Sequence, residues 1–288
     1  MGIIFRRGPS NQVLLIRWDI ENDTFEQGQW LKGRVYERRC DLSPDGKLLL
    51  YFASDQRRAM SSWTAVSCPP YFTALALWPK SNAYGGGGIF ESKTKVFLDH
   101  QDWEGIQVAD GFSVPNELSV RLLGRRGGGE DFDLGSPWSL RLQRDGWKLM
   151  QHPTKTKDEA GSKMMLELDP PFVWQKAHPA QSDRFVIQTS ILGIGGQNRP
   201  WCVTEHQLIG EDGYLGQIGE SDWADWAPNG DLLFAQSGCL FRLRCENGKF
   251  GPIEESEQIA DFNGLKFRCC EAPEGARSWP EIASKLRD

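Results

Sequence analysis

A tight turn that recurs along the chain constrains its fold most. It is written Asp41–Gly46 (DLSPDG), Trp226–Gly230 (WAPNG) and Cys270–Gly275 (CEAPEG). In each, proline presets φ at the first central position. An Asp, Asn or Glu follows, and glycine accepts positive φ. Weaker copies stand at Leu77–Lys80 (LWPK), Val114–Glu117 (VPNE) and Ala177–Ala180 (AHPA). The anchor prolines are then Pro44, Pro79, Pro115, Pro179, Pro228 and Pro273. Their mean spacing is about 46 residues, the length of a repeat unit holding one four-stranded sheet.

Between the turns the local pattern is β. Short runs rich in Val, Leu, Ile, Phe and Trp end in turn residues every eight to twelve positions or so. They include Val13–Asp19, Lys47–Ala53, Lys95–Asp99, Leu118–Leu123, Arg184–Ser190, Asp231–Ala235 and Cys239–Arg244. Helical periodicity is confined to the tail, about 278–287, where Ser278 can cap, Pro280 suits the first turn and Glu281 favours a helix start. A polar stretch, about 153–164, reads as an inserted loop within one domain spanning 1–288.

A second repeat supports the first. Leu15–Phe25 (LIRWDIENDTF) aligns without gaps to Leu240–Phe250 (LFRLRCENGKF), and Leu140–Lys148 (LRLQRDGWK) is a looser copy. All three read as hairpins with Asn-Asp, Asn-Gly or Asp-Gly at the tip. Trp18-Asp19, ending the first strand of its hairpin, resembles the dipeptide of tryptophan-aspartate (WD) repeats. The Pro-Asp-Gly anchors resemble those of TolB-type propeller repeats. The resemblance implies an all-β fold, a single β-propeller. The six anchors favour six blades, with five or seven as alternatives. One blade would be closed by a C-terminal strand, Leu265–Cys270, joined to N-terminal strands Ile3–Arg7, Val13–Asp19 and Trp30–Tyr36, leaving no long free edge.

Charge and composition exclude some functions. There are 33 basic against 39 acidic side chains, a net charge of −6, which disfavours a nucleic-acid binder. No apolar run approaches the roughly 20 residues of a membrane span, and the N-terminus has no secretory pattern. Seven cysteines without framework spacing point to reduced thiols in a cytoplasm, most of them buried.

Chemical signatures are weak. Asp19–Asp23 begins like a calcium loop, but Thr24 and Trp30 stand where Gly and a closing acid are needed. Cys202 and His206 offer only two metal ligands, and a buried Cys beside a surface His is expected. Cys269 and Cys270, on a predicted strand, should face opposite ways. Gly193–Asn198 lacks the third glycine and following helix of a dinucleotide loop. Gly85–Gly88 and Gly127–Gly129 read as flexible loops. His178, before an anchor proline, should pack against a neighbouring blade. Glu130, Asp131 and Asp133 read as solvated loop charge. No catalytic, cofactor or metal residue is assigned, and no cofactor is implied.

Trp18, Trp78 and Trp226 are expected to fill space between sheets. Trp63, Tyr71, Trp103 and Trp201, nearer predicted loops, with Arg125 and Arg126, form the candidate interaction surface. Arg57-Arg58 could add an anion contact. The leading expectation is a non-catalytic scaffold or adaptor, alone or in a hetero-complex, whose faces dock a protein partner. The alternative is a propeller enzyme or glycan binder whose strand-start acids, such as Asp41 and Asp225, converge around an ion.

Overall fold

A computed structural model describes residues 1–8, 11–55, 57, 60–101, 105–124, 134–157, 166–195, 202–211 and 213–282. The chain divides into two compact units, Met1–Arg141 with Leu265–Asp288, and Leu142–Gly264.

In the first unit, β1 (Gly2–Gly8), β2 (Gln12–Asp19) and β3 (Thr24–Lys32) form an antiparallel meander. The second sheet holds β4 (Arg34–Val35), β5 (Asp41–Leu42), β6 (Leu49–Ser54), β7 (Ser62–Ser67) and β8 (Ala74–Lys80), with β4 and β5 pairing successive parts of β6. The third holds β9 (Gly88–Ser92), β10 (Lys95–Leu98) and β11 (Ser119–Leu122), with β10 and β11 parallel. β6 and β7 are buried along their whole length. Leu49, Tyr51 and Ala53 pack with Val13, Leu15, Trp63 and Ala65, whereas Leu50 packs with Val66, Trp78, Phe90 and Val96. That two-sided burial is why residues 48–53 read as an unbroken apolar run rather than an alternating one.

Helix α1 (Pro137–Arg144) follows. Ser136 Oγ accepts the Ser139 N–H, and Pro137 takes the first position, where its missing donor costs nothing. The helix stops at Gly146, φ +90°, where Gly146 N–H bonds Gln143 O and Trp147 N–H bonds Leu142 O. The hairpin expected over Leu140–Lys148 is therefore a helix and its stop. Asp145-Gly146 ends a helix instead of tipping a ribbon.

In the second unit, β12 (Lys148–Gln151), β13 (Lys155–Lys157), β14 (Leu166–Ala177), β15 (Val186–Ile194), β16 (Cys202–Gly210) and β17 (Gly213–Glu220) form one sheet, ordered β12-β14-β15-β16-β17 with β13 also on β14. β13 lies within the stretch expected as an inserted loop, and 158–165 fall outside the described residues. β18 (Trp223–Trp226), β19 (Leu232–Gln236) and β20 (Cys239–Leu243) begin the last sheet. A ribbon, β21 (Cys245–Glu246) and β22 (Lys249–Phe250), turns through Asn247 and Gly248 at positive φ before β23 (Glu257–Asp261) completes that sheet.

The chain is thus of the all-β propeller class, with blade-like, mostly antiparallel sheets and one short α-helix among the described residues. Among the described residues the larger sheets number five, not six. The reason lies in the anchors. Pro79 is not in a turn but within β8, opposite Trp63, in the sheet that already holds Pro44. Pro273 begins a 3-10 turn, Glu274–Ala276, with no strand after it among the described residues. The other four prolines lie at turns or loops, and the first sheet has none.

The C-terminal segment also departs from expectation. Leu265–Cys270 forms no strand. It lies along β3 through side chains: Gln29 Nε2 donates to Cys270 O at 3.1 Å, and Phe267 packs on Trp30 and under Lys32 Nζ. Residues 278–282 are not helical, and 283–288 fall outside the described residues. Trp279 and Ile282 instead pack, partly buried, against the cluster that includes Leu48, Trp78 and Phe90, and Trp279 Nε1 donates to Ser113 O.

Gly85–Gly88 is a packed loop rather than a flexible one. All four glycines have positive φ, and a Cβ on Gly87, at φ +77°, would stand 1.9 Å from Arg39 O. Gly87→Ala should destabilise the protein by more than about 1 kcal/mol, read as a lowered urea midpoint. An unchanged midpoint would contradict this packing.

Candidate functional site

In the first unit, Asp41 is buried and accepts the Phe90 N–H at 2.8 Å. His100 Nε2 lies 2.9 Å from Thr64 Oγ1, itself fully buried and accepting the Gly87 N–H. Burial pushes the Cys40 thiol up to about 12, so it is no nucleophile at neutral pH.

In the second unit, Asp225 is bound by Lys176 Nζ at 2.6 Å and by the Trp226 N–H. Burial outweighs these contacts and holds its carboxyl above the usual range. The lysine also lies over the Trp147 ring at 5.9 Å. Each strand-start acid is therefore satisfied within its own unit. His206, buried rather than on the surface, has Nδ1 2.7 Å from Ser221 Oγ, and Cys202 is only half-buried, the reverse of expectation. Among the described residues no group of three His, Cys, Asp or Glu is placed to hold a metal.

Two anchors meet at His178. Its Nε2 donates to Gly230 O at 3.0 Å, and Nδ1 accepts the Ala180 and Gln181 N–H groups. The ring packs edge-on against Trp226, Phe185 and Phe250. The expected contact with a neighbouring sheet is present. A side chain on Gly230, at φ +91°, would meet the imidazole at 2.6 Å. Beside it, Asp231 and Arg242 form a buried ion pair at 3.0 Å. Burial alone would raise the Asp231 carboxyl. The Cys245 N–H, Asn229 and Arg242 together outweigh it and hold the group below the usual range.

The surface residues singled out from the sequence fare differently. Trp63 lies not on a loop but in β7, buried against Tyr51 and Phe72. Tyr71 is half-buried on the turn after Pro70, where burial first and the Glu26 carboxylate second hold its phenol above the usual range. Trp103, Arg125, Arg126 and Trp201 lie outside the described residues, as do Arg58, Gly127–Gly129 and Glu130–Asp133. Trp18, Trp78 and Trp226 are buried as expected, and Asp19–Asp23 is the tip of the β2–β3 hairpin. The cysteines are less buried than expected: only Cys40 is fully so, while Cys269 and Cys270 are both exposed on an irregular segment.

A constellation not singled out from the sequence stands in the first unit, around the 3-10 turn Glu37–Arg39. The guanidinium carbons of Arg34 and Arg39 lie 4.6 and 5.0 Å from the centre of one ring, Tyr36. Arg38 lies over Trp138 at 4.5 Å. Arg39 also donates to Ala83 O and Gly85 O at 2.7 Å, and Arg141 donates to Cys40 O. Arg7 of β1 pairs with Glu37. Five arginines from three stretches of chain thus gather on one turn. The one signal for it was the density of bases in Arg34–Arg39.

No family model matches the sequence, and no curated protein matches it. Among solved structures, the chain is similar to a protein of Bacteroides uniformis ATCC 8492 described as a candidate 6-phosphogluconolactonase, with 9% identity, 89% of this chain and 96% of that chain covered, and a TM-score of 0.36. A likeness at that score bears on neither activity nor substrate.

Two outcomes follow for the second unit. Arg242→Met strands a buried carboxylate and should cost about 3 kcal/mol or more in chemical denaturation. His178 has its pKa lowered, by burial first, so the unfolded chain binds a proton more readily than the folded one. Its contribution is complete above the unfolded value, about 6.5, and is lost as pH falls through that value towards the folded one. The drop in unfolding free energy from about pH 7.5 to about pH 5.5 should shrink in His178→Gln. An equal drop in both proteins would contradict this assignment.

Proposed function

We propose that the chain is a non-catalytic interaction scaffold: its sheets serve as propeller blades, and their exposed surfaces dock a protein partner in a hetero-complex. One observation carries the reading. Among the described residues, the side chains best suited to catalysis are held by internal partners: Asp41 by Phe90, Asp225 by Lys176, Asp231 by Arg242, His100 by Thr64, His178 by Gly230 and His206 by Ser221. The arginine-rich turn is half-exposed, with its guanidinium groups also engaged internally. Planar guanidinium groups stacked on aromatic rings are characteristic of binding surfaces.

A cytoplasmic setting fits this reading. All seven cysteines are free thiols, a usage that suits a reducing compartment. No described helix is long and apolar enough to cross a membrane. The net charge of −6 favours a protein partner over a nucleic acid.

Capture of the tagged protein from its own cells, followed by light scattering on the eluted species, should give a stoichiometric complex heavier than the 32.5 kDa chain. A chain that elutes alone and hydrolyses lactones or glycosides would overturn the scaffold reading.

A further inference from the structure

We infer that Cys269 and Cys270 form a two-thiol site that captures a trivalent arsenic compound. The site uses none of the residues on which the scaffold reading rests, and it adds a small-ligand function to that reading.

Both thiols are exposed, and neither is in a disulfide. On a strand the two side chains would point to opposite faces and could not share a ligand. Leu265–Cys270 is not a strand, so that restriction is lifted. The segment is nevertheless tethered. Gln29 Nε2 donates to Cys270 O at 3.1 Å, while Gln29 Oε1 accepts the Phe72 N–H at 2.8 Å and the Thr73 hydroxyl at 3.1 Å. One glutamine thus holds the cysteine pair between β3 and the residues that lead into β8. The Cys270 thiol reaches Glu271 O at 3.6 Å, a weak bond that a ligand can displace. Other thiols of the chain are less available. Burial pushes Cys40 up to about 12, raises Cys68, and is the first cause that raises Cys239. The thiolate is the binding species, so these three bind poorly at neutral pH.

The spacing of the pair selects its ligand. Consecutive Cα atoms stand about 3.8 Å apart across a trans peptide, short of the roughly 4.4–6.8 Å that an ordinary disulfide spans. Closing the two sulfurs on each other is therefore strained. One large thiophilic atom placed between them lengthens the bridge and relieves that strain. Structural zinc wants four protein ligands, and among the described residues no group of even three His, Cys, Asp or Glu is placed to hold a metal. A monosubstituted trivalent arsenical needs only two thiols, because its own carbon fills the third position. Soft thiolate sulfur suits such an atom. On capture of an arsenoxide, two S–H bonds and the arsenic–oxygen double bond break. Two As–S bonds form, and both protons leave with the oxygen as one water. Nothing is oxidised or reduced. Once the first sulfur is attached, the second binds at a high effective concentration, so the pair far exceeds either cysteine alone.

The test uses the full-length protein, reduced and then freed of reductant, with phenylarsine oxide as the probe and intact-mass spectrometry as the measurement. The wild type should take up a phenylarsenic group that excess monothiol leaves in place and that dimercaptopropanol removes. Cys269→Ser and Cys270→Ser each keep one thiol, and each should weaken retention against monothiol about a hundredfold or more. Both positions are exposed on an irregular segment, so an unchanged urea midpoint should accompany that loss. Cys68→Ser, which removes a thiol that donates to Ser278 O in the same unit, should retain the probe like the wild type. Retention that survives either serine at 269 or 270 overturns the inference, as does release by monothiol as ready as release by dithiol. Loss of retention in Cys68→Ser overturns the assignment of the site to the adjacent pair. None of these outcomes touches the scaffold reading, which stands or falls on recovery of a complex.

Discussion

Burial of β6 and β7 on both faces organises the first unit. A strand solvated on one face can alternate apolar and polar residues. These two cannot, because Leu49 and Leu50 point into different clusters and both are dry. Several polar groups on these strands are satisfied in place. Tyr51 reaches the Phe72 carbonyl, Ser62 the Asn82 carbonyl, and Thr64 the His100 ring. The Gly85–Gly88 loop completes the arrangement, passing so close to Arg39 and Phe52 that side chains have no room.

The strands were legible because their signals are local. Runs such as Val13–Asp19 and Cys239–Arg244 carry strand-forming residues, and the tips at Asp23 and Asn247 carry residues that tolerate positive φ. The number of sheets was less legible because proline carries two meanings. At Pro44 and Pro228 it opens a turn that closes with a bond to Gly46 or Gly230. At Pro79 it sits in an edge strand, where its missing N–H faces no ladder partner. Sequence spacing cannot separate these cases. The same ambiguity turned Asp145-Gly146 from an expected hairpin tip into a helix stop.

The candidate site was less legible still. Hydrophobic periodicity reports which way a strand faces, and it does not report which surface arginines will share a ring. Tyr36 meets Arg39 within one short turn, but Trp138 and Arg141 arrive from a helix about a hundred residues later. Trp63 misled for the opposite reason. An aromatic close to Arg57-Arg58 and a serine pair looks like a loop residue, yet the pairing of Ala53 with Trp63 puts it inside a sheet.

The make-up of the first unit bears on the order in which the protein can be made. Trp279 and Ile282 pack against its core, whereas Leu142–Gly264 is a continuous stretch with its own sheets. On a ribosome, the continuous unit has emerged in full while the other still lacks Trp279 and Ile282. A core begun by strands at one end of the sequence is thus completed by side chains some two hundred residues later, with an independent unit made in between.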